Sequence, residues 1–137
     1  MVQPTTFNTR EGPNWCPGCG NFGLQSALKK ALFELGLPPH RVCLSTGIGC
    51  SSKIAHWVQA YGFHGLHGRA LPVAAGIKLA NHDLTVIAEG GDGDGFSEGI
   101  GHFIHACRRN LDLTYIVHNN GVFSLTTGQA SATGAQG

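Results

Sequence analysis

The sequence predicts an α/β domain, a parallel sheet with helices on both faces, and three observations predict it. Short apolar runs alternate with helix-length segments, so neighbouring strands must be joined by crossover connections, which make a sheet parallel. Each apolar run ends in a loop rich in glycine or asparagine. The chain's 137 residues, 42% hydrophobic and 12% charged, match one globular core rather than a disordered tail or a set of repeats.

Residues 1–14 read as an N-terminal extension before Cys16-Pro17-Gly18-Cys19-Gly20. Leu24, Leu28, Ala31, Leu32 and Leu35 then share one helical face, and Gly36 followed by Pro38 and Pro39 ends that helix. Residues 41–45, 84–88 and 113–117 are three candidate buried strands. Between them lie helical segments at 51–60, 70–81 and 96–109; in the last, Ile100, Phe103, Ile104 and Cys107 fall at i, i+3, i+4 and i+7. In such sheets ligands bind beyond the carboxyl ends of the strands. The loops 46–52, 89–95 and 118–121 are therefore expected to share one crevice.

Nine Lys and Arg balance eight Asp and Glu, a net +1 that leaves no basic field to recruit nucleic acid or anionic lipid. The first ten residues lack an apolar core of signal-peptide length and no apolar run could span a bilayer, so the expected location is cytoplasmic, with no membrane partner. Five cysteines without export signals argue against a disulfide framework and for metal or cluster ligation by the spaced ones. The 21 glycines gather near 18–23, 47–49, 62–68 and 90–101, as backbone brought close to a ligand would require.

The most specific element begins at Gly90-Gly91-Asp92-Gly93-Asp94-Gly95 and ends at Asn119-Asn120-Gly121, with 26 residues between Gly93 and Asn120. Glycines after a strand let backbone amides approach a diphosphate, and a following helix adds its positive end. Mg²⁺ takes a few protein oxygens and completes its shell from phosphate and water, so one Asp, one Asn and one carbonyl form a sensible set. Read separately, the two halves are equally two tight turns. Cys16 and Cys19 alone would serve a zinc ribbon or a redox disulfide as well as a cluster. Cys43, in a strand, and Cys107, on a helix's apolar face, are expected in the core. His102 and His105, at i and i+3, have a spacing that metal ligands use, but their helix has its apolar face elsewhere; they, with His40, His56, His82 and His118, are expected to be structural.

The Gly-Asp-Gly to Asn element resembles the diphosphate motif of thiamine-dependent enzymes. By that resemblance Asp92 and Asn120 hold Mg²⁺ through their side chains and Val122 through its carbonyl. Cys16-Pro17-Gly18-Cys19-Gly20, with Cys50 in Gly47-Ile48-Gly49-Cys50-Ser51-Ser52-Lys53, is similar to the cluster-binding segments of 2-oxoacid:ferredoxin oxidoreductase β subunits, most nearly those acting on 2-oxoglutarate. Further likeness runs through Tyr61 to Arg69, Gly76 to Asn81 and Gly128-Gln129, covering the chain from Trp15 to Gln129.

The resemblance implies a thiamine-diphosphate-binding fold and three cofactors: thiamine diphosphate, Mg²⁺ and a 4Fe-4S cluster held by Cys16, Cys19 and Cys50 with a fourth ligand from outside the chain. It implies that Gly47, Ile48, Gly49, Cys50, Ser51, His67, Gly91, Asp92, Gly93, Asp94, Asn120, Val122, Leu125 and Thr126 meet the cofactor. In the catalytic pocket Lys53 would face the substrate carboxylate and Leu125, with Thr126, would wall the cavity. The implied reaction is oxidative decarboxylation of a 2-oxoacid to an acyl-CoA with reduction of ferredoxin. It requires an α subunit to supply the carboxylate facing the aminopyrimidine, a task for which Glu89 and Glu98 stand on the wrong side. A thiamine-dependent decarboxylase or synthase without ferredoxin would keep Asp92 and Asn120 but not the cysteine triad; a small zinc-binding interaction module would keep only the cysteines. The family's subunit is about twice this length, so the chain is expected to be one partial domain with exposed apolar edges and a poorly ordered tail over 126–137. Phe123 and Ser124 stand where a Tyr-Gly pair is usual, and His118 where an acidic or small residue is.

Overall fold

A computed structural model describes residues 4–135. Its core is a four-stranded, fully parallel sheet in the order β2-β1-β3-β4, built from β1 (Val42–Thr46), β2 (Tyr61–His64), β3 (Thr85–Gly91) and β4 (Thr114–His118). The α-helices are α1 (Gly20–Glu34), α2 (Ala70–Ala80) and α3 (Ile100–Arg109). A short antiparallel pair, β5 (Val122–Phe123) and β6 (Gln129–Ala130), follows.

The strand alternation sorts the core into two layers. Val42 and Leu44 of β1 and Ile87 of β3 point to the face covered by Leu28 and Leu32 of α1 together with Phe7, Ile54 and Trp57. Val86 and Ala88 point the other way, onto Ala70, Leu71 and Ala74 of α2 and, more peripherally, Phe103 and Ala106 of α3. Helices thus cover both faces, as the alternation of strand and helix requires. The connections share one hand: moves in one direction along the sheet, β2 to β3 and β3 to β4, use α2 and α3 on one face. The opposite move, β1 to β2, uses the 3-10 helix Ser51–His56 on the other. The direction of winding therefore reverses between β1 and β3, and this is where an open parallel sheet leaves a crevice.

Local structure follows the chemistry of the sequence with several corrections. Helix α1 ends where Gly36 adopts φ +66; Leu37 N–H reaches Leu32 O at 3.1 Å and Gly36 N–H reaches Phe33 O at 2.9 Å, a closure that glycine permits without strain. Its buried face is Gln25, Leu28 and Leu32, whereas Leu24 and Leu35 are exposed; the Gln25 side-chain amide donates to the Trp57 carbonyl at 2.7 Å. The expected helix over 51–60 is a single 3-10 helix, Ser51–His56. The helix expected from Phe96 is preceded by a π-helical turn, Gly93–Glu98, and becomes α-helical only at Ile100. A fourth strand, β2, joins the three expected; its four residues are all exposed, so it carries no burial pattern to read. Cys43 is buried, as expected, and burial pushes its thiol pKa up. Cys107 is exposed, contrary to its assignment to the core, because α3 packs through Phe103 and Ala106 and leaves Ile100, Ile104 and Cys107 outside.

The N-terminal extension contributes Phe7 to the core, and its carbonyl accepts from Gln59 N–H at 2.9 Å. Within residues 126–137, Gln129–Ala130 pair as β6 with β5, and residues 136–137 lie outside the described span. Tyr61 and Phe63 on β2 are exposed, in line with the expected apolar edge. Among the described residues no helix is long and apolar enough to cross a membrane.

Candidate functional site

The three strand-end loops meet at the reversal between β1 and β3, where Gly47 N–H reaches across to Glu89 O at 3.4 Å. They enclose a cavity of about 550 Å³. Ile48, Gly49, Cys50 and Ser51 line it from the β1 loop, Gly91, Gly93 and Asp94 from the β3 loop, and His118, Asn119 and Asn120 from the β4 end. His67, Lys53, Val122, Leu125 and Thr126 complete the wall, together with Cys16 and Cys19 from the segment before α1. The shared crevice expected from the sequence is present, and it gathers all but two of the expected site residues. Gly47 and Asp92 lie one layer beneath it, both buried.

Asp92 sits at the start of the π-helical turn with no exposed surface. Its Oδ1 accepts from Asn120 N–H at 3.2 Å, which ties the two ends of the motif together. Its Oδ2 accepts from the hydroxyls of Thr133, at 2.6 Å, and Ser131. Burial alone would raise its pKa, but the hydroxyls of Ser131 and Thr133 and the backbone N–H of Asn120 hold the carboxyl below its ordinary value. Asn120 is exposed; its Oδ1 accepts from Val122 N–H at 3.1 Å and its amide donates to Ser124 Oγ. A carboxylate held below its ordinary pKa and an amide oxygen, linked through backbone N–H groups, are of the hard-oxygen type that Mg²⁺ takes. The donor set fits such a cation once Asp92 releases the hydroxyls now capping Oδ2.

The cysteine side of the cavity is organised by aromatic packing. Trp15 stacks edge-on against Trp57 at 4.8 Å and Phe22 at 5.4 Å, and its Nε1–H donates to the Cys50 carbonyl at 2.6 Å, fastening the segment before α1 over the β1 loop. Cys16, Cys19 and Cys50 are free thiols facing one space. Among the described residues no three His, Cys, Asp or Glu side chains stand ready to hold one metal ion, so the thiols share the cavity without converging. Lys53 is 3.5 Å from Asn14 Oδ1 at the rim.

Two features escaped the sequence reading. His118, expected to be structural, bridges three elements: Nε2 meets Glu89 Oε2 at 3.0 Å and Nδ1 meets Asn21 Oδ1 at 3.0 Å. It is buried yet reaches the cavity wall. Asp94, expected only as one of many cofactor contacts, accepts backbone N–H bonds from Ile48 and Gly68 and stands beside His67. The available signal was the glycines: a Cβ at Gly47 or Gly90 would overlap the Asp94 carboxylate, so both glycines are there for the aspartate.

Residues 47–137 match the family of thiamine pyrophosphate enzymes through its C-terminal TPP binding domain. The chain is 62% identical over 125 residues to a 2-oxoacid:ferredoxin oxidoreductase subunit beta of Saccharolobus solfataricus, covering 90% of this chain and 41% of that protein. It is 43% identical over 131 residues to the 2-oxoglutarate oxidoreductase subunit KorB of Mycobacterium tuberculosis, covering 96% of this chain and 35% of that one. Among solved structures, a 2-oxoglutarate:ferredoxin oxidoreductase from Magnetococcus marinus, determined with 2-oxoglutarate, coenzyme A and succinyl-CoA bound, superposes with a TM-score of 0.93 at 44% identity, over 95% of this chain and 45% of its own. The chain spans less than half the length of each of these proteins.

Proposed function

This chain belongs to the thiamine pyrophosphate enzymes, through their C-terminal TPP binding domain, and from that premise we propose that it is the cofactor-binding part of a 2-oxoacid:ferredoxin oxidoreductase β subunit. The observation that carries the proposal is the cavity at the β1/β3 reversal, which collects both halves of the diphosphate motif and all three spaced cysteines. A thiamine enzyme that passes no electrons to iron and sulfur has no use for three free thiols on that wall.

In this reading Asp92, Asn120 and the Val122 carbonyl hold Mg²⁺, and the backbone of Gly91 and Gly93 lies against the diphosphate. Gly47, Ile48, Gly49, Cys50, Ser51, His67, Leu125 and Thr126 surround the rest of the cofactor. Bound thiamine diphosphate would supply the electron sink that a 2-oxoacid needs in order to lose carbon dioxide. Lys53, a point charge on a flexible stem at the rim, meets the substrate carboxylate. Cys16, Cys19 and Cys50 give three thiolates to a 4Fe-4S cluster, which normally takes four; such ligands are commonly organised by the metal itself. An α subunit, ferredoxin and coenzyme A are the partners this chemistry calls for, and the similarity to the coenzyme A-bound 2-oxoglutarate enzyme supports a 2-oxoacid as substrate.

Titration calorimetry with thiamine diphosphate, with Mg²⁺ and then with EDTA, combined with anaerobic iron and sulfide reconstitution, tests the proposal. Mg²⁺-dependent uptake together with a cluster chromophore lost in Cys50→Ser is the expected result. Cofactor uptake with no cluster would point to a thiamine-dependent enzyme without ferredoxin, and tight Zn²⁺ uptake with no thiamine diphosphate binding would point to a zinc module.

A further inference from the structure

Three of the walls around the cavity are tied together at one carboxylate. Asp94 is 3% exposed, and its Oδ1 accepts the Ile48 N–H at 3.0 Å and the Gly68 N–H at 2.8 Å. The same oxygen lies 2.6 Å from His67 Nδ1. Oδ2 is buried with no hydrogen-bond partner. An incompletely satisfied buried carboxylate is expensive, and a Cβ at Gly47 or Gly90 would overlap it, so those two glycines leave it room. A feature that opposes stability and is accommodated by two neighbouring glycines has a use in the site.

The contact with His67 shows what the use is. The ring N–H does not point straight at the oxygen, and Nδ1 has no aligned hydrogen bond elsewhere. Even so, a bare ring nitrogen and a carboxylate oxygen would set lone pair against lone pair at 2.6 Å, so in the neutral ring the contact favours the hydrogen on Nδ1. Nε2 is then the ring nitrogen left to meet a bound molecule, on a wall where His67 also packs edge-on against Phe123 at 5.9 Å. Ile48, whose amide the same oxygen fixes, also lines the cavity.

We propose that Asp94 is a positioning residue: it sets the tautomer and orientation of His67 and the placement of the Ile48 amide, and does not itself touch the cofactor or the metal. The inference rests on the thiamine diphosphate reading of the cavity and refines it, separating two aspartates two residues apart into one that ligates and one that orders.

The test uses the full chain and two measurements. Long-range ¹H–¹⁵N NMR without ligand reads the His67 ring, identified by its loss in His67→Ala, and calorimetry reads thiamine diphosphate affinity in Mg²⁺. The wild-type ring is expected to be a single tautomer protonated at Nδ1. Asp94→Ala should release the ring into both tautomers and weaken cofactor binding roughly tenfold, the scale on which removing an outer partner acts. Asp94→Asn, which keeps a carbonyl oxygen in the same place, should retain the tautomer and bind within about threefold of wild type. A merely space-filling aspartate would leave the tautomer unmoved in Asp94→Ala, and that result overturns the proposal. So does a wild-type ring protonated at Nε2, a measurement that stands even if Asp94→Ala does not fold. A wild-type chain that takes up no thiamine diphosphate overturns the reading beneath and this one with it; cofactor uptake with an unconstrained ring overturns the role of Asp94 alone.

Discussion

The middle of the sheet and its margins are built from similar residues and end in opposite environments. All five residues of β1 and five of the seven in β3 are buried, whereas every residue of β2 is exposed and α3 has no buried residue at all. Leu44 and Ile104 are alike in chemistry; Leu44 has no exposed surface and Ile104 keeps 59% of its own. Periodicity states which side chains favour leaving water, while position in the sheet decides whether this chain can oblige them. The cavity stands on the buried part. Two of its three loops leave β1 and β3, the most buried strands among the described residues, so that part of the site's geometry inherits the rigidity of the core, while the β4 end contributes from the margin.

The contrast is broken most directly by truncating one leucine in the middle and one isoleucine at the margin. Leu44→Ala is expected to destabilise the fold by about 3 kcal/mol, the cost of a cavity in a closed core. Ile104→Ala should change it by less than about 0.5 kcal/mol. Urea unfolding measures both, and equal losses would dissolve the distinction.

A glycine pair sharpens it. Gly47→Ala puts a methyl into the Asp94 carboxylate and should cost about 1–3 kcal/mol as an overpacked site, together with thiamine diphosphate affinity. Gly76→Ala, in the middle of α2 with nothing within 4 Å, should stabilise by about 0.5–1 kcal/mol. Thermal unfolding of the two variants should move in opposite directions.

The smallest expected effect is alkaline. Burial first, and then the charge of Asp94, push the Tyr115 phenol up from 10.0 to about 12. A folded-state value above the unfolded one means that Tyr115 contributes stability in full below pH 10, and that this contribution is lost as pH rises through about 12. The part of the alkaline decline assigned to this residue should vanish in Tyr115→Phe; an unchanged pH profile between those values would place the phenol in a more open setting.

What the sequence made legible were features whose partners are close along the chain or whose spacing is itself the message. Loop positions, the pairing of Asp92 with Asn120, and Gly36 as a helix stop are of that kind. The fold class was legible because strand and helix alternate. Strand β2 was not, since Tyr61-Gly62-Phe63-His64 is an exposed edge interrupted by glycine and has no burial pattern. The outward side of α3 was misread because a helical stripe marks a face without saying what covers it, and Cys107 followed the stripe to the wrong side. Asp94 joins residues 46 and 26 positions away, and His118 meets Glu89 across 29; such contacts exist only once β1, β3 and β4 lie side by side. Ser131 and Thr133, which cap Asp92, were unreadable for the same reason.

In the proposed site Asp92, buried beneath the cavity floor and tied to Asn120, holds the metal through which the chain grips a diphosphate. Calorimetric titration of thiamine diphosphate in Mg²⁺ into wild type and Asp92→Ala reads this contact. Wild type should bind in a manner that EDTA abolishes, and the variant should lose roughly a hundredfold in affinity. Equal affinity in the two chains would remove Asp92 from the metal.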